Sequence, residues 1–147
     1  MRRHLNVHES RLEDLTKVYD SMTDAEREAH HMTYDRDALS ALIGHFFASD
    51  VSYTVFDESG PILMFGVVPQ GRNGVLWLVG SKSAYSKRGL EFLRSSFYIA
   101  NELSEQYDYI GTRIPTSNPK ELRWLAFMGF TRSDADAPEG MADFILN

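Results

Sequence analysis

An α+β fold with one mixed, mostly antiparallel sheet flanked by helices is predicted by three features of the 147-residue chain. Helical apolar periodicity fills roughly the first third, strand-length apolar runs separated by Gly, Pro, Asn and Asp turns follow it, and the last part alternates helix, strand, helix and strand. Helices followed by a meander, then helix, strand, helix and strand, indicate one mixed sheet covered by helices.

The elements follow in order. RRHLNV reads as a short first strand. Ser10-Arg11-Leu12-Glu13 has the capping-box order, and Leu12, Leu15, Val18, Tyr19 and Met22 recur at helical spacing, so a helix starts here. Thr23-Asp24-Ala25-Glu26 repeats that signal before a more polar helix. Asp37 is placed to cap a third, with Leu39, Leu42, Ile43, Phe46 and Phe47 as its apolar stripe. SYTVF, the turn DESGP, PILMFGVV, the turn QGRNG and VLWLVG then form a meander. From Tyr85 to about Tyr107, Leu90, Leu93, Phe97, Ala100 and Leu103 return to helical spacing, with Phe92 and Ile99 widening the buried face. YIGTRIP is a strand, NPKELRWLAFMGF a helix, and MADFILN a closing strand. In that last helix Asn118 suits the cap, Pro119 the first helical position, and Gly129 the left-handed residue that ends it.

Composition narrows the function classes. Residues 1–147 read as a single domain, since no linker or repeat interrupts them and one core suffices at this length. Hydrophobic residues at 43% and charged residues at 24% are ordinary for a globular chain. A net charge of −6 gives no general attraction to phosphate backbones or anionic lipid, so no nucleic-acid partner is expected. No apolar run reaches membrane-spanning length, and MRRHLNVHES lacks a signal-peptide core. The absence of cysteine excludes disulfides, a thiol nucleophile and thiolate metal sites. A cytosolic location, or one inside a particle assembled there, is the expectation. No metal site is expected either: His30 and His31 are adjacent and diverge on a helix, and His4, His8 and His45 have no carboxylate at recognisable spacing. Ser81, Ser83 and Ser86 form no nucleophile elbow, and Gly80-Ser81-Lys82-Ser83 lacks the spacing of a phosphate loop.

The element order, with Asn118 opening a helix that closes in Gly129-Phe130, resembles the GNAT N-acetyltransferase fold from about Ser52 onward. More narrowly, Asn118, Leu122, Arg123, Trp124, Leu125, Met128 and Gly129, with the strand carrying Trp77 and Val79, are similar to the acetyltransferase-like internal virion protein A family of short-tailed phages. The resemblance implies acetyl-CoA as the cofactor, with Val79, Ser86, Lys87, Arg88, Gly89 and Asn118 at cofactor-binding positions. It also implies other virion proteins or a host protein as partners, and the host cytoplasm during assembly, then the virion, as the location.

The residues themselves fit this chemistry incompletely. Acetyl transfer needs backbone N–H groups at a helix N-terminus for the pyrophosphate, a base for the amine and an acid for the thiolate. The family loop reads Gln or Arg, two residues, Gly, one residue, then Gly or Ala. Here Ser86-Lys87-Arg88-Gly89-Leu90-Glu91 keeps only the first glycine, and Glu91 adds a negative charge near the phosphates. Lys87 and Arg88 either hold an anion at the helix N-terminus or form a solvated basic first turn. Leu125 occupies the position where the family often has its tyrosine acid, and GVLWLVG carries no carboxylate. Asp57 and Glu58 fall in a hairpin turn, while Tyr85, Tyr107 and Tyr109 are left as proton-donor candidates or packing residues. No complete catalytic set can be named. Three functions stay open: a degenerate acetyltransferase-like protein of virion assembly, an active N-acetyltransferase with a non-standard loop, or a small host-factor-binding protein that uses an acidic surface.

Overall fold

Apolar alternation along the meander builds a sheet that is buried on both faces, and the amphipathic helices supply the cover. The computed structural model describes residues 6–22, 24, 27–28, 37–80, 89–117, 119–133 and 136–147. The strands are β1 (Asn6–Glu9), β2 (Val51–Asp57), β3 (Gly60–Gln70), β4 (Asn73–Gly80), β5 (Ile110–Pro115), β6 (Thr131–Ser133) and β7 (Met141–Leu146). The described helices are α1 (Leu12–Asp20), α2 (Ala38–Ala48), α3 (Gly89–Gln106) and α4 (Pro119–Phe127). One seven-stranded sheet has the order β1-β2-β3-β4-β5-β7-β6, in which only β4 and β5 run parallel. This is the mixed, mostly antiparallel α+β architecture expected above.

Each face has its own core. Leu15, Val18 and Met22 of the α1 segment and Leu42 of α2 pack with Met64, Trp77 and Val79 on one face. Ala100 and Leu103 of α3, with Trp124, Leu125, Met128 and Phe130 in and after α4, pack with Phe65, Val67, Leu76, Leu78, Ile110 and Phe144 on the other. Odd and even positions of β4 thus go to opposite faces, as the pleat requires. A shift in register between Val55 and Phe56 leaves Ile62 without a partner on β2, so Ile62 and Leu63 both enter the second core.

Local differences from the sequence reading have local causes. The α1 cap is Arg11, not Ser10: its backbone N–H donates to Asp14 Oδ2 at 2.9 Å, so Asp14 rather than Glu13 closes the box. Thr54 draws Asp14 inward, its hydroxyl lying 3.0 Å from Oδ2 and 2.9 Å from Ser10 Oγ. Asp14 and Thr54 are both buried, and this bond ties α1 to the sheet. Asp37 caps α2 as expected, accepting from the Ser40 amide at 3.0 Å. Ala41 takes a place in the buried stripe, whereas Phe47 is 69% exposed and edge-on to Phe46. The second capping box and its polar helix lie largely outside the described residues, as do Tyr85 and the first residues of RRHLNV. Strand β6 has no alternating pattern to reveal it, because all three of its residues are exposed.

Candidate functional site

The unusual feature of the sheet is where β4 meets β5. Their parallel ladder has only the pairs Gly74 with Ile110 and Val75 with Gly111, although both strands continue well beyond. At the next step the Thr112 side chain replaces a backbone donor, its hydroxyl giving a 2.9 Å hydrogen bond to the Leu76 carbonyl. Past Thr112 no ladder pair joins the two strands among the described residues. Pro115, at the far end of β5, has no N–H with which to make one. The result is an opening between the C-terminal halves of β4 and β5.

Which backbone groups line it follows from the pleat. The Gly74 N–H donates to the Tyr109 carbonyl at 2.9 Å, and the Leu76 carbonyl accepts from Thr112, so even-numbered residues of β4 turn their backbone toward β5. The register with β3 runs without a shift from Gln70–Asn73 to Leu63–Gly80, and the alternation continues with it. Leu78 and Gly80 therefore present N–H and C=O groups to the opening. Val79 is fully buried on the α1–α2 face, and its backbone turns toward Met64 of β3. These two backbone positions were readable from the turn QGRNG: a two-residue turn at Gly71-Arg72 sets the parity of the strand after it.

Trp77 stiffens the same strand from behind. Its indole lies across Gly66, and its Nε1–H donates to Ser49 Oγ at 2.7 Å, while Ser49 donates to the His45 carbonyl at 2.6 Å. Gly66 is required there, since a Cβ would meet Nε1 at 2.7 Å.

The remaining predicted residues divide by position. Gly89 begins α3, the helix that follows β4 after residues 81–88, while Ser86, Lys87, Arg88 and Asn118 lie outside the described residues. Gly129 has φ +99 and ends α4 as expected. Leu125 is fully buried in the core. Asp57 and Glu58 sit in the β2–β3 turn, where Asp57 Oδ1 accepts from the Ser59 amide at 2.7 Å. Tyr107 and Tyr109 are at the closed end of the β4–β5 pair, away from the opening. The Tyr107 hydroxyl donates to Asp50 at 3.2 Å, and burial, followed by the Asp50 charge and that hydrogen bond, holds the phenol above its ordinary range. Arg113, on the half of β5 that pairs with β7 but not with β4, faces away from α3 and α4 and makes a forked pair with Asp143 at 2.6 and 3.0 Å, which raises its pKa. No group of His, Asp or Glu that could hold a metal occurs among the described residues.

Solved structures share this fold along nearly the whole chain. The GNAT domain of S. lividans PAT superposes with a TM-score of 0.72 at 11% identity, covering 97% of this chain and 89% of that one. The chain has the GNAT acetyltransferase fold. An N-acetyltransferase from Staphylococcus aureus Mu50 matches with a TM-score of 0.67 at 12% identity, over 99% of both chains. The ribosomal-protein-S18-alanine N-acetyltransferase from Escherichia coli matches at 0.64 and 11%, covering 96% of this chain and 90% of that one. No protein-family model matches the sequence, and no curated protein matches it.

Proposed function

We propose that this chain is a phage acetyltransferase-like protein that keeps the GNAT opening without its standard acid–base catalysis, and that it acts in virion assembly or as an internal component of the particle. The observation that carries this reading is the chemistry of the described walls of the opening. Leu76, Leu78 and Ile114 are apolar, the Thr112 hydroxyl is committed to Leu76, and the position where the fold often has a tyrosine acid is the buried Leu125. None of these side chains can give a proton to a departing thiolate. Tyr107 and Tyr109 lie at the wrong end of the strand pair to do so. A scaffold can retain its packing while its site changes role. The phage assignment is supported by the resemblance at Asn118, Leu122 to Leu125, Met128 and Gly129. It brings other virion proteins or a host protein as partners, and the host cytoplasm, then the particle, as the location.

The test is calorimetric titration with acetyl-CoA, run beside an amine-acetylation assay. Binding without turnover, or no binding, is the expected result. Micromolar binding with amine acetylation, both lost on Gly89→Trp, would overturn the reading. It would establish a second one, an active N-acetyltransferase that acts on a host protein and uses Lys87 and Arg88 at its pyrophosphate loop. That alternative is favoured by the backbone groups of Leu78 and Gly80, which face β5 with no ladder pair to it among the described residues. They match what an acyl carrier's amides need, and they require no acidic side chain.

A further inference from the structure

We infer that Asn73 is a site of spontaneous covalent modification, cyclisation to a succinimide with loss of ammonia, which the fold holds shut and which becomes reactive only when the closed end of the β4–β5 pair comes apart. Among the asparagines of the chain only Asn73 precedes a glycine, so only there is the following amide nitrogen unobstructed by a neighbouring side chain. Packing dictates that glycine. A Cβ on Gly74 would collide with Val67 Cγ1 and lie 3.3 Å from the Tyr107 ring.

The chemistry needs a particular geometry. The Gly74 nitrogen, having lost its proton to hydroxide, attacks the carbonyl carbon of the Asn73 side chain. The new C–N bond forms as the side-chain nitrogen leaves as ammonia, and water then opens the ring to an aspartyl or isoaspartyl residue. Attack requires rotation about Asn73 to bring nitrogen and carbon into contact. Both flanking peptide groups resist it. Ahead of Asn73, the Arg72 carbonyl accepts from the Asp108 amide at 2.8 Å, and behind it the Gly74 N–H donates to the Tyr109 carbonyl at 2.9 Å. The Arg72 guanidinium adds an ion pair to Asp108 at 3.2 Å, and Asn73 itself pairs with Gln70 across the turn. The amide that must lose its proton is therefore a committed donor, and the chain is clamped on either side of it. Opening of the ring to isoaspartate would insert a methylene into the backbone between the Gln70 pair and the first β4–β5 pair, so the clamp could not close again in register. Modification is a one-way record of local opening.

The experiment holds the full chain in mildly alkaline buffer, with and without unfolding guanidinium chloride, and follows conversion at Asn73 by peptide mass spectrometry, with Asn6 and Asn101 as internal references. Conversion is expected to be at least about tenfold slower in the folded chain than in the unfolded one, since two backbone hydrogen bonds must open first. Asp108→Pro, which removes the amide donor to Arg72, should speed conversion several-fold in the folded chain without changing the rate in guanidinium. Hydrogen exchange at the Gly74 amide of the unaltered chain gives a second measurement should that variant fail to fold, and marked protection is expected there. Equal conversion with and without guanidinium, no preference for Asn73 over Asn101 when unfolded, an unchanged rate in a folded Asp108→Pro chain, or a Gly74 amide that exchanges as fast as in the unfolded chain would each overturn the inference.

Discussion

Gly66→Ala is the sharpest perturbation, because one methyl group meets a rigid ring that has nowhere to go. The added Cβ would lie 2.7, 2.8 and 2.9 Å from Nε1, Cε2 and Cζ2 of Trp77, inside any normal contact distance. Trp77 is 2% exposed, enclosed by the α1–α2 core, and anchored through Nε1 to Ser49. Moving the indole costs about 1–3 kcal/mol of packing strain. Breaking its hydrogen bond inside the core adds about 1–2 kcal/mol. A loss of about 2–5 kcal/mol is expected, or roughly 5–15 °C in Tm for a domain of this size. Urea unfolding followed by far-UV circular dichroism reads it without relying on Trp77 fluorescence. The decisive comparison is the same substitution in a Trp77→Leu background. There the clash is gone, and exchanging a strand glycine for alanine should be neutral or stabilising by about 0.5–1 kcal/mol. A loss below about 0.5 kcal/mol in the original background, or an equal loss in both, would refute the packing argument.

Further outcomes follow from other sites. Asp14→Ala removes the acceptor of the Arg11 amide and one of the two acceptors of the buried Thr54 hydroxyl, leaving it Ser10 Oγ, and should cost about 1–2 kcal/mol in chemical denaturation, with Asp14→Asn costing less. Gly129→Ala has ordinary space beside Leu146 but an unfavourable φ of +99, so a loss of about 1 kcal/mol is expected from backbone strain alone. Ultraviolet titration should find Tyr107 ionising above the ordinary tyrosine value of about 10. Because the folded-state pKa is raised, its contribution to stability is complete below the unfolded value and is lost as pH rises through the folded one. Asp50→Asn should move that titration back down without abolishing the shift, since burial, the larger cause, is untouched.

Much of the fold was legible because its signals are local. The Asp37 cap, the hairpin turns after Asp57 and Gln70, the Gly129 stop and the period of each strand depend on neighbours a few residues away. Where the sequence reading slipped, a distant partner decided. Ser10 and Glu13 made the expected capping box, yet Thr54, forty residues from Asp14 along the chain, fixed the cap one residue later. Phe47 continued an apolar stripe and still faces outward, because burial depends on which face of α2 meets the sheet. Strand β6 exists only by pairing with β7, and no apolar alternation announces it.

The candidate site shows the same division. Residue types settled by themselves that no thiol chemistry is available, that Leu125 cannot be an acid, and that a helix begins soon after the strand VLWLVG. The family resemblance, not the residue types, marked Val79 as a cofactor position, and the two-residue turn at Gly71-Arg72 sets the parity that turns its backbone toward β3. Only the tertiary structure decided that β4 and β5 part after two ladder pairs, that Thr112 closes the join, and that Leu78 and Gly80 have no ladder pair to β5 among the described residues. The physical reason is that caps, turns and periodicity are written in contiguous residues. Pairing between strands separated by the whole of α3 is settled by how the two cores pack.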